Sequence, residues 1–147
     1  MILFGSSSES WANTYGLKIT LIRPFTIFGG DENPKKLTSI LYSKFKNNEK
    51  LMLTSGYHDY VYVKDFVDFI IKIAFFNEKS NFTKLSIGSG KQTSNEDFVR
   101  MCQKALGYTF HTELADNKKV YDLEFSKNKY NFEFKYTLES ALKDMWK

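Results

Sequence analysis

The sequence is poor in the residues that usually announce chemistry. Cys102 is the one cysteine in 147 residues, which excludes an internal disulfide and any multi-cysteine metal site. It is expected to be a small buried hydrophobe on a helix. His58 and His111 are the two histidines, and they stand too far apart for metal-ligand spacing. His111 falls in YTFHTEL, which reads as an exposed strand. No Gly-x-Ser-x-Gly elbow supplies a hydrolase nucleophile. IGSGKQTS lacks the spacing of a phosphate loop, so Gly88-Ser89-Gly90 reads as a strand-to-helix turn. No apolar run reaches the roughly 18 residues of a membrane span. The start, MILFGSSSESW, has no basic segment ahead of its apolar residues, so no secretory signal is expected. Together these features predict a cytoplasmic protein with no membrane partner.

The net charge is +4, but its lysines are scattered among Asp, Glu and Asn as on a solvated face. Lys35-Lys36 is the nearest thing to a basic cluster, and no nucleic-acid-binding motif accompanies it, so no nucleic-acid partner is expected. A mild basic excess also suits an anionic small molecule. The hydrophobic fraction of 42%, with fourteen Phe and nine Tyr, is that of a globular domain with a strongly aromatic core. No repeat, low-complexity tract or Gly/Ser linker divides the chain.

Hydrophobic periodicity predicts an alternation of strands and helices. Residues Ser6 to Tyr15 read as a short helix stopped by Gly16, and LKITLIR as a strand buried on both faces. KLTSILYSKF places Leu37, Ile40, Leu41 and Phe45 at helical spacing. LMLTSG and DYVYV read as strands. KDFVDFIIKIAFF carries Phe66, Val67, Ile70, Ile71, Ala74 and Phe75 on one broad apolar face, which predicts a well-buried helix. TKLSIGSG reads as a strand, and TSNEDFVRMCQKALG as a helix capped by Ser94 and stopped by Gly107. Near the end, KVYDLEF reads as a strand, Ser126 opens a short helix, and Thr137 caps a last amphipathic one. The fold class is α/β or α+β.

The polar candidates are the two lysines after Pro34 and the His58-Asp59 pair after Gly56, both in loops beside buried elements. The strand ending in Arg23-Pro24-Phe25 opens into the polar loop GGDENPKKL. Ligands of open α/β sheets bind beyond such carboxyl ends.

Four blocks in order, LIRPFTIFGGDENPKKL, LTSGYHDYVYVKDFVDFI, LSIGSGKQTSNEDFV and FSKNKYNFEFKYTLESALKDMW, resemble the C-terminal half of the NAD(P)-dependent epimerase/dehydratase family. These are the extended short-chain dehydrogenases that modify nucleotide-sugars. The resemblance implies an α/β, Rossmann-type fold: the last parallel strand followed by a small α/β substrate-binding lobe. Residues 1–30 would end the dinucleotide-binding sheet, and 31–147 would form the lobe. The main chain at Pro24 and Phe25 would lie against the nicotinamide end of NAD or NADP. Thr26 stands where an Asn often reaches the sugar or its phosphate. Lys36 and Leu37 match the Pro-x-Arg/Lys-Leu block near the nucleotide. His58 replaces an Arg that commonly meets the diphosphate, and a neutral His offers one donor where Arg offers a fork.

The family also uses a Gly-x-x-Gly-x-x-Gly turn to hold the cofactor pyrophosphate, and a Tyr-x-x-x-Lys pair ahead of a Glu on the preceding helix. The glycine turn does not occur in this sequence, and the register set by Glu9 puts Met1 and Gly5, or Phe4 and Ser8, at the catalytic pair. The expectation is therefore a family fragment that grips a nucleotide-sugar, with no catalytic residue of its own, no turnover and no cofactor bound by this chain alone. The alternative is a non-enzymatic nucleotide-sugar-binding or partner-docking lobe. Either would expose apolar surface, favouring a homo-oligomer or association through an open sheet edge.

Overall fold

The computed structural model describes residues 7–47, 49–75, 80–109, 112–115 and 132–146. The sequence-predicted strand at KVYDLEF, the helix from Ser126 and His111 lie outside the described residues.

Helix α1 (Ser7–Tyr15) ends at Gly16, which takes φ +61°. The chain reverses there into β1 (Ile19–Pro24). β1 pairs in parallel with β6 (Phe82–Ile87), in register from Ile19 opposite Phe82 to Pro24 opposite Ile87. Because side chains alternate along a strand, Ile22 shares a face with Leu85 and Ile87. That face packs on Phe69 and Ile73 of helix α3 (Val63–Ala74) and on Phe132. On the opposite face Ile19 and Leu21 are buried, α1 packs on both strands, and Lys84 pairs with Glu9 of α1 at 3.0 Å. The predicted two-faced burial of this strand is met in part: a helix lies on each side, but the Thr20/Ile22 face is only half-buried and Arg23 and Pro24 are exposed. The partner β6 is drawn from residues 31–147.

The rest of the chain builds a second core. β2 (Thr26–Phe28) pairs in parallel with β5 (Tyr60–Tyr62). β3 (Leu51–Thr54) pairs in parallel with β8 (Thr112–Ala115), and β4 (Tyr57–His58) runs antiparallel to β7 (Thr93–Ser94). Helices α2 (Leu37–Asn47), α4 (Asn95–Leu106) and α5 (Leu138–Met145) enclose them. At its centre Tyr60 stacks on Phe98 with ring centroids 4.1 Å apart, and Phe28 meets both rings edge-on. Cys102 is buried in this core, as expected.

The helix ends follow the sequence closely. Ser94 accepts from the Asp97 N–H at 3.0 Å, Gly107 closes α4 at φ +66°, and Thr137 accepts from the Ser140 N–H. α3 departs from expectation. Its buried residues are Asp65, Phe69 and Ile73, whereas Val67, Ile71 and Phe75 are exposed, Phe75 by 87%. Lys64, Asp65, Asp68 and Lys72 give the helix a polar arc. Its buried side runs through Asp65, Phe69 and Ile73 at one edge of the apolar arc, and neither Phe69 nor Ile73 is among the six residues that periodicity assigns to the core face. Among the described residues the sheet beneath it is two strands wide and covers one side only.

Asp59 and Asp65 are fully buried and tie these parts together. The Asp59 carboxylate accepts from the Ser89 N–H, the Ser89 hydroxyl and the Gly90 N–H at 2.7–2.9 Å. Asp65 accepts from the backbone of Lys135 and Tyr136, holding the approach to α5 against α3. Gly88 is required beside Asp59, because a Cβ there would overlap the carboxylate and the Phe25 ring.

Candidate functional site

A cavity of about 350 Å³ opens where β2 leaves the end of β1. Its floor is the apolar edge of the second core, including Phe28, Leu51, Leu53 and Tyr60. Thr26, Lys36, Leu37 and His58 all line it. The structure therefore brings together the four residues expected to meet substrate. Pro24 and Phe25 lie outside it, at the end of β1 beside Ile87.

Local geometry explains how the polar residues arrive. Asp31 takes the left-handed conformation (φ 58°), which Asp tolerates better than most residues. Asn33 then folds its side-chain oxygen onto the Lys35 N–H at 2.9 Å, and its carbonyl accepts from the Lys36 N–H. That turn sets both lysines at the amino end of α2, where helix N–H groups and ammonium charge favour an anion. Across the cavity, the Thr26 hydroxyl and His58 Nδ1 are 3.3 Å apart, with the direction of donation set by the imidazole tautomer. Burial, reinforced by the Lys36 charge, holds the His58 pKa below its ordinary value. Neutral His58 is thus a hydrogen-bonding group here rather than a cation.

Two residues join the site that the sequence reading did not single out. Glu32 lines the cavity, and its Oε1 is buried without a partner. Burial raises its carboxyl to a pKa of about 7 against the opposing charge of Lys36. Asn95 also lines it; its Nδ2 donates to the Thr54 carbonyl at 2.7 Å, while its Oδ1 is buried without a partner. An acid in a polar loop and a polar residue opening a helix both read as surface in one dimension. Only their convergence, 63 positions apart, exposes them. Asp59, a sequence candidate through its pairing with His58, instead uses its carboxylate on the Gly88-Ser89-Gly90 turn.

A larger cavity of about 520 Å³ lies between β5, α4 and the residues before α5. Its carboxylates Asp65 and Glu139 and its hydroxyl Tyr62 are already bonded, Glu139 to Lys104 and Lys143 and Tyr62 to Asp144 at 2.9 Å. Their acceptors and donor are spent on the fold, which makes the smaller cavity the better candidate. Tyr-x-x-x-Lys spacing recurs at Tyr42/Lys46 and Tyr60/Lys64, without catalytic geometry. The Lys46 ammonium sits 4.9 Å from the Tyr42 ring centroid, and Lys64 pairs with Asp144 at 2.6 Å. Burial, with Cys102 and Glu32 adding to it, raises the Tyr60 pKa, opposite to what a proton-exchanging tyrosine needs.

Among the described residues no group of three acidic, His or Cys side chains could hold a metal, and no helix is long and apolar enough to cross a membrane. For a dinucleotide, Pro24 has no N–H and the Phe25 N–H is committed to the Ile87 carbonyl at 2.9 Å. These two residues can wall a cofactor but offer no free N–H to hold one.

Solved structures of similar fold are numerous. They include the UDP-glucose 4-epimerase of Thermotoga maritima, with 23% identity and a TM-score of 0.77, over 93% of this chain and 47% of that one. The dTDP-glucose 4,6-dehydratase of Bacillus anthracis gives 21% identity and a TM-score of 0.76, over 95% and 47%. The UDP-N-acetylglucosamine 4-epimerase of Methanobrevibacter ruminantium gives 20% and 0.76, over 93% and 47%. This chain thus spans about half the length of the solved structures it matches, and the likeness is one of fold. No curated protein matches the sequence. The model of the NAD dependent epimerase/dehydratase family matches residues 3–88, more than half of the chain and the whole run from α1 through β6. Parallel strands, helix order and that match agree: the chain belongs to the NAD dependent epimerase/dehydratase family.

Proposed function

We propose that this chain corresponds to the C-terminal half of such an enzyme and supplies its nucleotide-sugar-binding lobe. Residues 1–30 end the dinucleotide-binding sheet and 31–147 form the lobe, with β6 returning to pair with β1. The observation that carries this reading is the shared cavity of Thr26, Lys36, Leu37 and His58. In it Lys36 and the start of α2 take the anionic part of the ligand. His58 and Thr26 form a neutral donor–acceptor pair beside it, and Leu37 packs against its apolar face. Bound NAD or NADP would supply hydride chemistry, but Pro24 and Phe25 offer only a wall to it. No turnover is expected from this chain alone, and the cytoplasm is its proposed location.

The second reading is a binding or docking lobe without chemistry. It is favoured by the open edge of β1, which has one strand neighbour among the described residues, and by exposed Trp11, Tyr15 and Leu17 on and just after α1. That edge is where a second copy or a partner would add.

Calorimetry with UDP-glucose and dTDP-glucose tests the lobe reading. Binding is expected, weakened roughly tenfold in Lys36→Met through loss of a charge-assisted contact, with a shallower salt dependence. No binding to either compound refutes it. Hydride transfer to NAD by the pure chain would refute the expected lack of turnover.

A further inference from the structure

Three buried side-chain atoms among the described residues lack a hydrogen-bond partner in the protein: Ser8 Oγ, Glu32 Oε1 and Asn95 Oδ1. Ser8 lies on α1, whereas Glu32 and Asn95 line the same cavity. Buried polar groups are normally satisfied, and an unmet one is a persistent cost to the fold. Two in one cavity, both oxygens, call for a common cause.

The orientation of Asn95 is fixed by its surroundings. Its side chain is 6% exposed, its Nδ2 donates to the Thr54 carbonyl, and its backbone N–H donates to the Gly56 carbonyl at 2.9 Å. The amide nitrogen is thereby assigned, and the unmet atom is the acceptor. Glu32 lines the cavity together with Lys36 and Tyr60. The cavity is therefore divided: exposed Lys35 and Lys36 offer cations at its rim, and Glu32 and Asn95 offer acceptors within it.

We infer that Glu32 and Asn95 are specificity residues, an acceptor pair that reads at least two N–H or O–H donors on the ligand group entering this cavity. This rests on the nucleotide-sugar-binding reading and deepens it. The lysines hold the anion without discriminating among anions, whereas the acceptor pair rejects a group that cannot donate, because rejection leaves both oxygens unmet. A base edge or sugar hydroxyls could present such donors.

Calorimetry with UDP-glucose, UDP and glucose 1-phosphate, on wild type, Glu32→Leu and Glu32→Gln, tests the assignment. Glu32→Leu keeps the bulk and removes the acceptor, and is expected to weaken UDP-glucose binding roughly tenfold. Glu32→Gln restores an acceptor oxygen and should lose less than about threefold. A loss that persists with UDP assigns the donor to the nucleoside; one confined to the two glucose compounds assigns it to the sugar. Either supports the inference. Thermal melts accompany the titrations, and Glu32→Leu should melt at or above wild type because an unmet polar atom is removed. Wild-type affinity in Glu32→Leu, equal losses in the Leu and Gln variants, or a melt well below wild type each overturn it. Absence of wild-type binding to all three compounds fails the lobe reading and the inference together. Tight wild-type binding unchanged by Glu32→Leu fails the inference alone.

Discussion

Replacing Asp59 should unlock the junction between the two cores. Its carboxylate receives three hydrogen bonds from Ser89 and Gly90, and its backbone carbonyl accepts from the Thr26 N–H at 3.0 Å. The side chain thus holds the turn after β6 against the start of β5, one residue from His58. Hydrogen bonds to a charged group contribute about 1.5–3 kcal/mol each. Three bonds sharing one carboxylate do not add. Asp59→Asn keeps one acceptor oxygen for Ser89 but turns an NH₂ toward the Gly90 N–H, a loss of about 2–3 kcal/mol. Asp59→Ala leaves all three donors unmet and should cost about 4–5 kcal/mol, a large share of the 5–15 kcal/mol typical of a domain. At roughly 3 °C per kcal/mol for a chain of this size, Asp59→Asn should melt about 6–9 °C below wild type. Gly88→Ala attacks the same junction from the other side, since its methyl would overlap the carboxylate and Phe25. Overpacking of that kind costs about 1–3 kcal/mol. Urea titrations of both single variants and the double variant should show coupling of at least about 0.5 kcal/mol. An Asp59→Asn protein that melts within about 2 °C of wild type refutes the reasoning, and would return Asp59 to the list of ligand-binding candidates.

Two further outcomes follow from the structure. Glu32 has a folded pKa of about 7, raised above its ordinary 4.5, so its contribution to stability is present at low pH and is lost as pH rises through about 7. His58, lowered by burial and Lys36, works in the opposite sense, its neutral form gaining as pH rises. Stability measured in urea from pH 5 to 8 should therefore rise more steeply with pH in Glu32→Gln than in wild type; parallel curves contradict the burial of that carboxyl. On α3, Ile73→Ala should cost about 2–5 kcal/mol and Ile71→Ala no more than about 0.5–1 kcal/mol, because the first side chain is 7% exposed and the second 52%. Equal losses by thermal melt would contradict the orientation of the helix.

Local chemistry was the legible part of this chain. Ser94 and Gly107 bound α4, and Thr137 opens α5, because a cap is a contact within four residues and sequence displays it directly. Lys36 could be singled out because polar residues in a loop after a buried strand have few structural duties, whereas His58, read as loop, lies in β4 opposite Thr93. The face of α3 was less legible, since its apolar arc is wider than the surface that covers it and a charged residue, Asp65, is drawn inside by the Lys135 and Tyr136 N–H groups. Asp59 looked like half of a functional pair, and only the position of Ser89 and Gly90, thirty residues on, makes it structural. Glu32 and Asn95 lacked any local signal, because the property that distinguishes them, an unmet buried oxygen, is created by tertiary packing.

Amide chemical-shift mapping of the isotope-labelled chain during titration with UDP-glucose tests the binding lobe most directly. Saturable shifts centred on Thr26, Lys36, His58 and Asn95 are predicted, fading in Lys36→Met. Shifts clustered instead around Lys135 and Tyr136, or a spectrum unmoved by the ligand, would contradict it.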